Sequence, residues 1–370
     1  MVGKKIGIVT YWDTEENYGQ VLQLFALQWQ LKKLSYNPYL IRIKQGKLPT
    51  DINKKYSVKT YTFQRIVDAL QKRFSKRKKY IVVKRNFQLF KDKYLSVSDK
   101  EYVPLELYTN TPEADAYISG SDQVWNYPNP IYFLDWCPTG KKCIAYAASF
   151  GKKDIPDYQV EAYSKLLGRM DLISVREKSG VGICEKIVPN KKCIQCLDPT
   201  LLLSKEDYIS SIQIEKPLTD KKYILLYLLG NKCNVNFSLL DDFAKEKDCE
   251  IIFVPSQGCV LSMYKPTYPS IEQWLGLVKN AAYIITNSFH GIAFSIIFQR
   301  DFFVLPLVGG DVKMNDRLTS LFDILKIGNR YVCKKMLQKD HLDYDKVAKF
   351  LKEKKKEGVF FLNEINRYIL

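Results

Sequence analysis

Histidine is scarce in this chain: two in 370 residues, His290 and His341. No G-x-G-x-x-G follows the first apolar run, which removes the dinucleotide fingerprint. No run of about 18 apolar residues occurs, which excludes a spanning helix. The start, Met1 to Thr10, enters an apolar segment without the basic, apolar and small-residue regions of a signal peptide. The protein is therefore expected in the cytoplasm. Nine cysteines fit that compartment as reduced thiols. Cys143, Cys184, Cys249 and Cys333 sit in apolar runs, where thiols act as small hydrophobes. One C-x-x-C pair, Cys193 and Cys196, lacks a second pair, a neighbouring histidine or a thioredoxin-like context, so no metal site is expected.

What the chain has in excess is positive charge, +17 at neutral pH. A field of that sign gathers anions such as phosphorylated substrates, acidic headgroups or nucleic acid. The excess is local: Lys47 to Lys93 holds fifteen Lys or Arg against Asp51, Asp68 and Asp92. Ile66, Val67, Leu70, Phe74, Phe87 and Phe90 interleave with these cations. The segment from about 50 to 95 therefore reads either as a basic amphipathic surface for anionic membrane or as solvated helices packed on a domain. It carries no helix-turn-helix, RNP-type or zinc-finger pattern, so nucleic acid is not expected as a partner.

Length and the spread of apolar residues (46%) predict two domains. Strand-like runs at Ile6–Thr10, Pro38–Ile43, Ala114–Ser119, Cys143–Ala148 and Leu172–Val175 alternate with helical spacing, as over Gly19 to Leu34. The pattern returns with strands at Tyr223–Leu229, Glu250–Val254, Tyr283–Thr286 and Phe302–Leu305. Between them run helices at Val235–Lys247, Ser270–Asn280 and Gly291–Phe298. Such βαβ grammar predicts parallel sheets. The expectation is an α/β protein of two Rossmann-like, doubly wound domains facing a cleft. The first spans 1–205 with the basic insertion, the second 220–335, and a helix 343–370 follows.

Ligands of such sheets bind beyond the carboxyl ends of the strands, so those segments are read for chemistry. After the first strand, Asn17-Tyr18-Gly19 feeds a helix N-terminus that suits an anion or a sugar hydroxyl, although Asn17 equally fits a plain N-cap. Gly120-Ser121-Asp122-Gln123-Val124-Trp125-Asn126 offers hydrogen-bonding groups and one aromatic face, which suits a sugar; the alternative is a capped turn with Trp125 in the core. Arg176 ends a strand, where its fork would hold phosphate or carboxylate, or else pair with Glu177. His290 sits at a helix start, placed for proton transfer near neutral pH; the alternative is a buried structural histidine. Asn315-Asp316-Arg317 opens a late helix with another cation.

The order of these pieces resembles the polysaccharide pyruvyl transferase family over most of the chain, from Gly7 to about Ile327. The motifs that carry the likeness are Asn17-Tyr18-Gly19 with Gln23, Gly120 to Asn126, Val175 to Gly180, Asp198-Pro199-Thr200, Ser288-Phe289-His290-Gly291 and Asn315-Asp316-Arg317. The resemblance implies a GT-B-like fold, phosphoenolpyruvate as co-substrate with no resident cofactor, and a sugar or lipid-linked oligosaccharide acceptor of a surface polysaccharide. A lipid-linked acceptor would place the protein on the inner face of the plasma membrane. His290 and Asp122 become the catalytic candidates. Arg176, Arg317, Ser288, His290 and Gly291 are expected at the donor. Asn17, Tyr18, Gly19, Ser121, Gln123, Trp125 and Asn126 are expected at the acceptor. Many members carry Arg where Ser288 stands, so either Arg176, Arg317 or Arg300 supplies that cation or the donor is held differently. A GT-B glycosyltransferase using a nucleotide sugar is the competing expectation.

Overall fold

The structure, a computed structural model, describes residues 3–44, 46–56, 83–217, 219–230, 236–259, 261–306, 316–328, 330–332 and 341–368. The middle of the basic insertion, Asn315 and Cys333 lie outside these residues.

The first sheet has seven parallel strands. They are β1 (Lys5–Val9), β2 (Asn37–Ile43), β3 (Val97–Tyr102), β4 (Ala116–Ser119), β5 (Lys142–Ala148), β6 (Leu172–Val175) and β7 (Cys193–Gln195). Their order is β3-β2-β1-β4-β5-β6-β7, the Rossmann order with one added strand. Alternation along each strand builds a core on both faces. Ile8, Ile118, Ile144 and Tyr146 face one cluster, while Val9, Tyr117, Cys143 and Ala145 face the other.

The second sheet holds β8 (Tyr223–Leu229), β9 (Glu250–Ser256), β10 (Tyr283–Thr286) and β11 (Asp301–Val304), ordered β11-β10-β8-β9 and also parallel. The order in which strands are added reverses between β1 and β4 in the first sheet and between β8 and β10 in the second, with every strand still parallel. These are the topological switch points, where such sheets leave a crevice.

Helices α1 (Tyr18–Lys33), α2 (Thr50–Tyr56), α3 (Phe87–Tyr94), α4 (Pro104–Thr109), α5 (Asp157–Gly168), α6 (Lys178–Ile187) and α7 (Lys205–Ser211) belong to the first half. The second half adds α8 (Phe237–Glu246), α9 (Ile271–Asn280), α10 (Phe289–Ile297), α11 (Asp316–Leu325) and α12 (Tyr344–Tyr368). Ser270 caps α9 in a reciprocal box with Gln273, as its spacing predicts. Helix α12 returns to the first domain: Lys355 Nζ donates to Leu203 O at 2.8 Å, and Phe361 packs on Tyr146.

Two strands escape sequence reading for physical reasons. β3 (VSDKEY) is an edge strand with one buried residue and charges at three positions, the composition that protects an edge. β7 has only three residues, too few for periodicity to register. Between the domains lies an aromatic seam. Tyr18 stacks on Trp274 at 4.9 Å and donates to Pro269 O at 2.8 Å, and Phe294 and Tyr227 close around Trp274.

Candidate functional site

Four chain segments bring ionisable groups to one buried place where the domains meet. Arg176 follows β6 and is 3% exposed. Its Nη1 donates to Asp198 Oδ2 at 2.8 Å, and its Nε donates to Glu177 Oε1 at 3.1 Å. Phe289 lies against its guanidinium at 4.6 Å. Burial works against this charge, but Glu177, Asp198 and Asp122 outweigh it and raise the guanidinium above its ordinary value.

Asp198 is the hub. It caps the 3-10 turn Pro199–Leu202, with Oδ1 accepting from Thr200 N at 3.0 Å and Thr200 Oγ1 at 2.7 Å. On Oδ2 it accepts from Ser121 Oγ at 2.8 Å as well as from Arg176. His290 Nε2 stands 3.6 Å from the same oxygen, an ionic contact longer than a hydrogen bond. Burial alone would raise the Asp198 carboxyl, yet His290, Arg176 and the Thr200 amide hold it well below the usual carboxylate range.

His290 comes from the other domain, at the β8/β10 switch point. Asn287 fixes that corner by clasping Leu229, donating Nδ2 to its carbonyl and accepting its amide on Oδ1, both at 2.8 Å. Ser288 then caps α10, accepting from Gly291 N at 3.2 Å. The imidazole lies directly on α1: a Cβ on Gly19 would meet His290 Nδ1 at 2.0 Å. Nδ1 therefore faces the α1 backbone, and Nε2 faces the Asp198–Arg176 cluster. Among the described residues, His290 Nε2 and Arg176 Nη2 are buried polar atoms with no hydrogen-bond partner. Such atoms are costly to keep unsatisfied. Arg317, on α11, completes the wall of a small cavity shared with Arg176, Asp198 and Phe289. Burial and then the Arg176 charge push its guanidinium down to about 10, still cationic at neutral pH.

Asp122 stands beside this cluster, 8% exposed, in the left-handed region at φ 80°, a conformation that costs a non-glycine residue free energy. Its Oδ2 accepts from Gln20 Nε2 at 3.2 Å, and its Oδ1 accepts from Gln123 N at 2.8 Å.

The structure thus gathers Arg176, Arg317, His290, Asp122 and Ser121, but it redistributes other expected site residues. Trp125 is 0% exposed and stacked on Phe133 at 4.7 Å, its Nε1 donating to Tyr132 O. It is core and offers no face to a sugar, because the loop turns it back under β5. Tyr18 belongs to the interdomain seam, also 0% exposed. Asn17 is the N-cap of α1, accepting from Gln20 N. Gly19 makes room for His290. Ser121 serves Asp198, while the half-buried Gln123 and Asn126 remain near the strand ends. Gly291 is required by packing, since a Cβ there would meet Thr286 Oγ1 at 2.6 Å, and its amide is spent on the cap. Ser288 is likewise occupied as that cap. Arg300 follows the far end of α10, its carbonyl accepting from Tyr344 Oη, whereas Arg176 and Arg317 share a cavity wall with Phe289, the residue after Ser288.

Residue-by-residue reading gave no role to Asp198, Gln20 or Arg85. The signal for Asp198 was Asp-Pro-Thr, a capping sequence, but β7 before it was too short to mark the position as a strand end. Arg85 counted only as part of the basic segment. It is instead 2% exposed at the domain boundary, donating to Tyr18 Oη at 3.1 Å and to Pro255 O at 2.7 Å. Lys91, Phe87 and Phe90 are buried too, and this described end of the segment packs at the domain junction, with Phe87 on Tyr18 and Phe90 on Phe25 of α1 while α3 also meets α9.

A family model described as polysaccharide pyruvyl transferase matches residues 17–307. No curated protein matches in sequence. Among solved structures, UDP-GlcNAc 2-epimerase from Methanocaldococcus jannaschii aligns at 12% identity over 94% of this chain and 91% of that one, with a TM-score of 0.49. A UDP-N-acetylglucosamine 2-epimerase from Rickettsia bellii aligns at 13% over 99% of both chains, TM-score 0.44. A UDP-glucosyltransferase from Polygonum tinctorium aligns at 9% over 99% and 98%, TM-score 0.47. These likenesses are too distant to speak of substrate.

Proposed function

The chain belongs to the polysaccharide pyruvyl transferase family, transferases with a sugar or oligosaccharide acceptor, and from that premise we propose that it uses phosphoenolpyruvate to form a pyruvate ketal. The observation that supports this most is that His290 Nε2 and Arg176 Nη2, both buried and both without a hydrogen-bond partner among the described residues, belong to side chains that meet the same Asp198 carboxylate from opposite sides of the domain boundary. An anionic donor that must be protonated needs both kinds of group in one place.

In this reading Arg176 and Arg317 hold the donor's phosphate and carboxylate, where a water-poor setting strengthens each contact. His290 Nε2 gives a proton to the vinyl carbon, which becomes a methyl group. Asp122 accepts the proton of the attacking sugar hydroxyl as its oxygen bonds to the neighbouring carbon. A second hydroxyl of the same sugar then bonds to that carbon as phosphate departs with the bridging oxygen. Of the two hydroxyl protons released, one restores His290 and the other leaves on phosphate, so atoms and charge balance. No resident cofactor is called upon.

With Trp125 in the core, the half-buried Tyr11 and Trp12 after β1 are the ring faces we assign to the acceptor. That acceptor is proposed to be lipid-linked, holding the protein peripherally at the inner membrane face. Among the described residues no helix is long and apolar enough to cross a membrane. The function is tested by incubating the protein with phosphoenolpyruvate and a panel of sugar and lipid-linked acceptors. Acceptor-dependent phosphate release, with a ketal methyl signal by proton NMR, is the expected result. Turnover of a UDP-sugar with none of phosphoenolpyruvate would overturn it.

A further inference from the structure

The proposed donor site is already electrically filled by the protein itself. Arg176 is committed to Asp198 at 2.8 Å and to Glu177 at 3.1 Å, and His290 Nε2 lies 3.6 Å from Asp198. Asp122 adds a third carboxylate to the field acting on Arg176, and Arg317 a further cation. Three carboxylates therefore face two guanidiniums and an imidazole within a buried volume. With His290 protonated, as the proposed proton donor must be, these charges cancel, so a multiply charged anion entering without any rearrangement would find no net positive charge to bind it.

The three acids are not held alike. Glu177 accepts from Ser149 Oγ and Arg176 on one oxygen, within a single domain. Asp122 is held by Gln20 and by the Gln123 amide. Asp198 alone spans the boundary. Its Oδ1 is anchored by Thr200, whereas its Oδ2 collects Arg176, Ser121 and His290. That oxygen occupies the position an oxyanion of the donor would take between the two cationic groups.

We propose that Asp198 is a positioning residue that acts as a resident counter-ion: it holds Arg176 and His290 in place at rest, and an arriving phosphate or carboxylate oxyanion replaces its Oδ2. The proposal rests on the reading of this cluster as the donor-anion site, but its test does not require pyruvyl transfer. Binding of the donor is then an ion exchange, in which Arg176 and His290 leave one carboxylate for another anion while Thr200 retains Oδ1.

The test uses inorganic phosphate as probe and the two histidines as reporters. In protein labelled with ring nitrogen-15, saturating phosphate should shift the His290 signal. It should leave His341 in place, which is exposed and faces Asp301; a His341→Gln variant assigns the two. Asp198→Asn keeps the shape and an acceptor for Thr200 but removes the competing charge. Phosphate should bind this variant about tenfold tighter or more, while a residue that merely supports the fold would give weaker binding on substitution. Equal or weaker phosphate binding by folded Asp198→Asn overturns the proposal. If that variant does not fold, the wild-type spectrum decides, because phosphate binding that leaves His290 unmoved also overturns it. A chain that passes this test yet turns over no phosphoenolpyruvate would retain the counter-ion and lose only the pyruvyl reading.

Discussion

Two strand-end loops carry comparable densities of polar groups, and the fold treats them in opposite ways. Gly120 to Asn126 looks made for a hydroxylated ligand, yet its aromatic is core and its serine serves a neighbouring carboxylate. Arg176 and Glu177, with Asp198 and His290, look like ordinary ion pairs. They are buried almost completely and still leave Arg176 Nη2 and His290 Nε2 unsatisfied. Hydrogen-bonding capacity is easily absorbed by a turn. Buried charge is not, because apolar replacements of buried pairs are often neutral or stabilising. A buried cluster that remains incompletely paired is therefore the better pointer to ligand chemistry.

The comparison can be broken at either end. Arg176→Ala strands Asp198 and Glu177 in the interior, so it should cost about 3–5 kcal/mol of stability and abolish donor binding, read by urea unfolding and calorimetry. Trp125→Ala should cost about 3–5 kcal/mol through a cavity beside Phe133 and Phe150. Where it stays folded, its affinity for phosphoenolpyruvate should match the wild type. Loss of acceptor affinity in Trp125→Phe, without loss of stability, would return that ring to the site.

His290→Ala should fold and lose roughly 10²- to 10⁴-fold in turnover, measured as acceptor-dependent phosphate release. Gly19→Ala sharpens the point, since it leaves every ionisable group intact but drives the imidazole off α1. A displacement of that kind should cost about 10²-fold in rate, together with a fall in melting temperature, because the added methyl also meets His290 Cβ at 2.5 Å. The smallest effect is expected at Lys355, a half-buried cation set against a carbonyl. Burial lowers it from 10.5 to about 8, so between those values the unfolded chain binds more protons and stability rises with pH. Lys355→Met should flatten that rise in melting temperatures taken from pH 7.5 to 10.5.

Legibility in the sequence follows the same division. Buried strands such as Tyr283–Thr286 and Tyr223–Leu229 announce themselves by continuous apolar runs, and their boundaries agree with the structure. The charged edge strand β3 and the three-residue β7 leave no such trace. Arg176 and His290 follow recognisable strands, which makes them candidates in the sequence, and the structure brings both onto Asp198. Asp198 is not such a candidate, since its donors come from positions 121, 176, 200 and 290 and only folding assembles them. The packing role of Gly19 is hidden for a related reason: a glycine at a helix start suits an anion, and only folding shows that the space beside it holds an imidazole from the other domain.

The central claim, that the Arg176–His290 cluster receives an anionic pyruvyl donor, is tested most directly by calorimetric titration of phosphoenolpyruvate into wild type and Arg176→Ala, with UDP as the comparison ligand. Phosphoenolpyruvate should bind the wild type saturably and the variant not at all, and UDP should give no response. Saturable UDP binding with silence from phosphoenolpyruvate would contradict it.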